Sequence, residues 1–106
     1  MAPKFGTSGV RGLVTELTET LVRDYTRAFL SACYTGSDLY VGRDLRPSSP
    51  EIAEWIIKEA LSAGITVFDC GALPTPALAF AAKGYAAIMV TGSHIPADRN
   101  GLKFYL

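Results

Sequence analysis

Segment 89–101, MVTGSHIPADRNG, sets Ser93 beside His94 in a turn-rich stretch between two apolar runs. A serine hydroxyl is a weak nucleophile at its own pKa, so covalent chemistry at Ser93 needs a base or a positive charge nearby. His94 and Lys103 are placed to move protons or supply that charge, and Arg11 could hold a phosphate as a planar fork. The nearest known nucleophile pattern, G-x-S-x-G, fails because Gly92 directly precedes the serine and Pro96 follows three residues later. GTSGVRG near the start reads G-x-x-G-x-x-G, not a dinucleotide fingerprint, and it follows no clear strand. A Walker A sequence is absent, and one histidine does not build a metal site. The remaining alternatives for Ser93 are a turn or capping hydroxyl and a carrier of phosphate.

Three segments share the features that suit a phosphate: FGTSGVRG, GRDLRPSS and TGSHIPADRNG. Each offers hydroxyls and backbone N–H groups freed by glycine, and arginines accompany them. Any one of them alone would pass as a set of turn formers. Such segments act together when they lie beyond the carboxyl ends of the strands in an open α/β sheet, so the elements between them matter.

The apolar pattern supplies those elements. LTETLVRDYTRAFLSACY repeats apolar residues on one helical face, with Thr18 as N-cap and Leu17 and Val22 as a hydrophobic staple. SPEIAEWIIKEALSAG is a second helix, opened by a Ser48–Glu51 capping box or by Ser49 with Pro50 at N1, and closed by Gly64. LPTPALAFAAKG reads as a short helix capped by Thr75. DLYVG, ITVFDCG, YAAIMVT and GLKFYL read as strands, and their nearly continuous apolar runs suit strands buried on both faces. The expectation is an α/β fold of three α/β/α layers around a mixed, mainly parallel sheet, with the strand after Ser93 antiparallel at an edge.

Composition limits the alternatives. A chain of 106 residues forms one domain, and its 49% hydrophobic and 19% charged residues are those of a packed protein. Ten basic and ten acidic side chains cancel, which leaves no electrostatic footprint for nucleic acid. No apolar run is long enough to span a bilayer as a helix, and the N-terminus shows no signal-peptide pattern. Cys33 and Cys70 fall in apolar patterns as small buried hydrophobes, which fits a cytoplasmic setting.

Four ordered blocks, FGTSGVRG, VGRDLRPSSPEIA, DCGALPTPALAFA and VTGSHIPADRNGLKFY, resemble the N-terminal domain of the phosphohexomutases, the phosphoglucomutase and phosphomannomutase superfamily. The resemblance implies that the loop serine carries a phosphate and passes it to a hexose phosphate. The resulting bisphosphate turns over in the site, and the other phosphate returns to the serine. Hexose 1-phosphate and hexose 6-phosphate are thereby interconverted. By that resemblance Ser93 is the phosphoserine with His94 beside it, Lys103 serves proton transfer, and Arg11 lies near the transferring phosphate. Thr7, Ser8, Arg11, Asn100 and Lys103 are expected to contact substrate.

The resemblance also implies Mg2+, held from this chain through the Ser93 phosphate alone, and a hexose bisphosphate as activator and intermediate. The family's usual loop, T-A-S-H-N-P, reads T-G-S-H-I-P here, with Gly92 and Ile95 substituted. The family's magnesium loop, sugar-recognition loop and terminal domain are not in these residues. A piece of a longer protein is therefore expected, inactive alone and self-associating through an exposed C-terminal strand. The alternatives are a module that binds a phosphorylated ligand without turnover, and a phosphoglucosamine mutase.

Overall fold

The computed structural model describes residues 4–5, 9–32, 38–74, 77–78, 82, 85–92 and 98–105. Among these residues there are six strands: β1 Lys4–Phe5, β2 Gly9–Leu13, β3 Asp38–Arg43, β4 Thr66–Ala72, β5 Ala86–Val90 and β6 Arg99–Tyr105. Two α-helices lie between them, α1 Glu19–Ala32 and α2 Ser49–Ser62. The strands form one sheet in the order β1-β2-β6-β5-β3-β4.

Helix α1 starts as its sequence requires. The Leu21 N–H donates to Thr18 Oγ1 at 3.3 Å, and the staple residues Leu17 and Val22 are both buried. Val22, Phe29 and the half-buried Leu21 and Tyr25 then pack with Ile52, Ile56 and Ala60 of α2 against one face of the sheet. Val10, Leu39, Val41, Ala86, Ile88, Val90 and Leu102 meet them there. Gly64, at φ 78°, ends the turn after α2.

The other face carries a smaller cluster of Leu78, Ala82, Ala87 and Met89, with Tyr40, Leu73 and Tyr105 against it. Helical bonds hold that cover: Leu78 N–H donates to Pro74 O and Ala82 N–H to Leu78 O. The expected cap Thr75 and its neighbour Pro76 lie outside the described residues, as does Cys33. Cys70 is half-buried in this layer, and burial, with Asp69 nearby, pushes its thiol pKa up. Among the described residues no helix is long and apolar enough to cross a membrane.

The α/β class and the mixed sheet agree with the sequence reading, and several details depart from it. The parallel part is β4-β3-β5, whereas β6 runs antiparallel to both β5 and β2, and β1 antiparallel to β2. The N-terminal segment adds the two strands that sequence reading missed, because GVRGL has two glycines and too little apolar alternation to register. Strand β6 is consequently interior rather than an edge, with partners on both sides. This removes the exposed C-terminal strand that was expected to drive self-association. Strand β4, expected to be buried, pairs only with β3, and Phe68 is 42% exposed.

Candidate functional site

The segment carrying Ser93 leaves the carboxyl end of β5, beside the carboxyl end of β3. Asp44 follows β3 directly, and its N–H donates to Val90 O at 2.9 Å, so the two strand ends are joined by backbone. Its side chain extends that join. One carboxylate oxygen, Oδ2, accepts the Gly92 N–H at 3.0 Å. The other, Oδ1, accepts the Arg46 N–H at 3.1 Å and the Ser49 hydroxyl at 2.5 Å. Burial alone would raise the Asp44 pKa. The hydrogen bonds from Ser49, Gly92, Arg46 and Thr91 outweigh burial and hold it below the usual carboxylate value. Asp44 therefore stays charged while pinning the residue next to Ser93.

The far foot of the loop is tied to the same cluster. Asn100 is fully buried, and its Nδ2 donates to Ser48 Oγ at 2.8 Å and Ser49 Oγ at 2.9 Å. Its Oδ1 accepts the Gly101 N–H at 2.9 Å. Asn100, expected to contact substrate, thus has both ends of its amide bonded within the protein. Ser48 and Ser49 were expected to cap α2. Ser48 makes no side-chain cap and Ser49 lies inside the helix, both hydroxyls being drawn to Asn100 and, for Ser49, to Asp44. Arg46 completes the set. Its Nε lies 3.3 Å from Asp44 Oδ2, and one terminal nitrogen donates to Arg99 O at 3.1 Å.

Ser93 and His94 lie outside the described residues, as do Thr7 and Ser8. What the structure defines is the frame on either side of them. Thr91 N–H donates to Gly101 O at 3.0 Å, and Val14 N–H donates to Asp98 O at 2.8 Å.

The two cations singled out from sequence share a face. Val10 and Leu102 point to the helices, so strand alternation turns Arg11 and Lys103 to the opposite face. Arg11 pairs in register with Gly101 and Gly9 with Lys103, which makes Arg11 and Lys103 diagonal neighbours. Gly101 leaves the Arg11 side chain room to lie across β6; a Cβ there would sit 3.2 Å from Arg11 Cγ. Arg11 is exposed and stands in the row Arg11–Gly101–Thr91, one residue from Gly92. Lys103 is half-buried and level with Met89, about 10 Å along the strand from Gly92.

Among the described residues no three His, Cys, Asp or Glu side chains cluster to hold a metal.

The family described as phosphoglucomutase/phosphomannomutase, alpha/beta/alpha domain I, matches residues 2–106. The chain belongs to that family, as its first domain. It is 51% identical to a phosphomannomutase of Sinorhizobium fredii, a match covering 100% of this chain and 24% of that protein. It is 41% identical to a phosphoglucosamine/phosphogalactosamine mutase of Sulfurisphaera tokodaii, over 97% of this chain and 24% of the relative. The crystal structure of a phosphoglucomutase/phosphomannomutase family protein from Burkholderia thailandensis superposes with a TM-score of 0.83 at 35% identity, covering 94% of this chain and 25% of that one. The chain spans about a quarter of the length of these relatives.

For a phosphohexomutase domain I, the residues that sequence reading passed over are Asp44 and Arg46. Both sit in GRDLRPSS, which was read as a phosphate-suited loop without assigning them a task. Their partners across the Ser93 segment, Gly92 and Arg99, lie 48 and 53 positions away, and no local pattern reveals such a pairing.

Proposed function

We propose that the complete protein carrying this domain is a cytoplasmic phosphohexomutase that interconverts hexose 1-phosphate and hexose 6-phosphate, with Ser93 as the phosphate carrier. The observation that supports this most is the pair of hydrogen-bonded feet flanking Ser93, tied by Asp44 on one side and Asn100 on the other. Phosphoryl transfer depends on placement and charge more than on covalent chemistry by the protein, so a fixed carrier is what the reaction requires.

In the forward step the bond between Ser93 Oγ and phosphorus breaks, and a bond forms from the free sugar hydroxyl to the same phosphorus. The hydroxyl proton passes to a nearby base, and Lys103 or His94 returns a proton to the serine oxygen. The bisphosphate then presents its other phosphate, and the reverse transfer restores phosphoserine. Arg11 grips the moving phosphate as a planar fork, with Thr7 and Ser8 lining the same site. Magnesium, as an added Lewis acid, would neutralise phosphate charge, with most of its ligands from outside these residues.

Mannose and glucose phosphates are favoured over glucosamine phosphate, on the higher identity to the phosphomannomutase. A coupled assay of the complete protein on all three tests this. Turnover of mannose or glucose 1-phosphate that is lost in Ser93→Ala supports the reading. Normal turnover without Ser93 would remove the serine from the mechanism.

A further inference from the structure

The space around Gly92 is already filled by another side chain. A Cβ built at Gly92 would lie 2.1 Å from both Cζ and Nε of Arg46 and 2.6 Å from its Nη2. The guanidinium occupies the space of the missing methyl. From that position Arg46 pairs with Asp44, which holds the Gly92 N–H at the near foot of the loop, and donates to the Arg99 carbonyl at the far foot. A single planar group therefore bridges both ends of the stretch that carries Ser93. Its side chain is only 17% exposed, so the bridge is covered rather than solvated.

The geometry points to Arg46 as a positioning residue for the Ser93 phosphate carrier, acting through a clamp in which Gly92 is its receptor. The assignment rests on the phosphate-carrier reading for its consequence on turnover. The clamp itself rests on packing alone. It also gives Gly92 a physical partner: glycine at 92 and arginine at 46 form one unit, and altering either breaks the bridge between the feet. Arg46 touches neither substrate nor phosphate in this account. It holds Gly92 and Arg99, the described residues on either side of the carrier.

The test is a double-mutant cycle on the complete protein, with Gly92→Ala, Arg46→Ala and both together, reading kcat, KM and the thermal midpoint. Each single change should lower kcat on the order of ten- to a hundredfold with KM for the hexose phosphate within about twofold, because misplacement of a reacting group slows the step without weakening binding. Adding Gly92→Ala to Arg46→Ala should change kcat by less than about twofold and leave the midpoint unchanged, since no guanidinium remains to collide with the methyl. An equal cost of Gly92→Ala with and without Arg46, in kcat and in midpoint, would overturn the clamp, as would Arg46→Ala with unaltered kcat. The midpoint cycle does not depend on turnover, so it judges the clamp separately from the mutase reading, which stands or falls on Ser93→Ala.

Discussion

Asp44 Oδ2 accepts the Gly92 N–H at 3.0 Å across 48 positions of sequence, and this bond places the residue before Ser93 relative to the end of β3. Its other oxygen holds Ser49, which in turn is bonded to Asn100 at the far side of the loop. Two segments that look like separate turns are thus one polar unit.

The first prediction concerns that unit. Asp44→Asn keeps the shape but replaces one acceptor oxygen with a donor, leaving either Gly92 or Ser49 facing the wrong group. The expected cost is about 1–3 kcal/mol of stability, the range for an unsatisfied polar group, with a fall in kcat larger than any change in KM. Chemical denaturation and steady-state kinetics on the complete protein check it. Wild-type kcat in Asp44→Asn would show that the bond is dispensable.

The helix pair offers a second prediction. Glu59 of α2 is nearly buried between Arg23 Nε at 3.0 Å and Arg27 Nε at 3.2 Å, both from α1. Glu59→Gln should destabilise the fold by about 1–2 kcal/mol, less than a fully buried pair because both arginines reach solvent. It should leave kcat unaltered, since Glu59 lies on the helix layer. Thermal melts and the coupled assay together separate this from a site effect.

Acid dependence follows from the same two carboxylates. Burial raises both pKa values, but hydrogen bonds reverse this: Arg27 and Arg23 at Glu59, and Ser49, Gly92, Arg46 and Thr91 at Asp44. Both folded values are therefore depressed. The stabilising contribution is fully present above the unfolded pKa near about 4 and is lost as pH falls through the lower folded value. Stability should drop below about pH 4, and Glu59→Gln with Asp44→Asn should flatten that drop. Melting curves between neutral pH and pH 3 provide the check, and an equally steep loss in the double variant would refute it.

Particular residues show why some of this was legible in sequence and some was not. Thr18, Leu17 and Val22 act within one turn of each other, so the start of α1 could be read from spacing alone. Ser48 and Ser49 satisfy the same local rule for a cap, yet Asn100 and Asp44 claim their hydroxyls from elsewhere in the fold. Strand β2 was hidden because Gly9 and Gly12 contribute no side chain, and its existence depends on pairing with β6. Ser93 and His94 were conspicuous by residue type. Asp44 was not, because an aspartate in a turn is ordinary until its distant partner is known.

The two cations give the next prediction. Arg11→Lys keeps the charge but loses the fork, and should cost about tenfold or more in kcat/KM, since a fixed donor to a developing charge contributes about 2–4 kcal/mol. Lys103→Met should reduce kcat by a similar factor while shifting the thermal midpoint little, because Lys103 is half-buried on the face away from the main core. An unchanged rate in Arg11→Lys would leave Arg11 a structural residue of β2.

The central claim is that Ser93 carries the phosphate, and it is tested most directly by peptide mass spectrometry of the complete protein after incubation with a hexose 1,6-bisphosphate. The account predicts phosphate on the peptide containing Ser93, localised to that residue, and its removal when excess hexose monophosphate is added. A peptide that stays unmodified under both conditions, from a preparation that nevertheless interconverts the hexose phosphates, would contradict it.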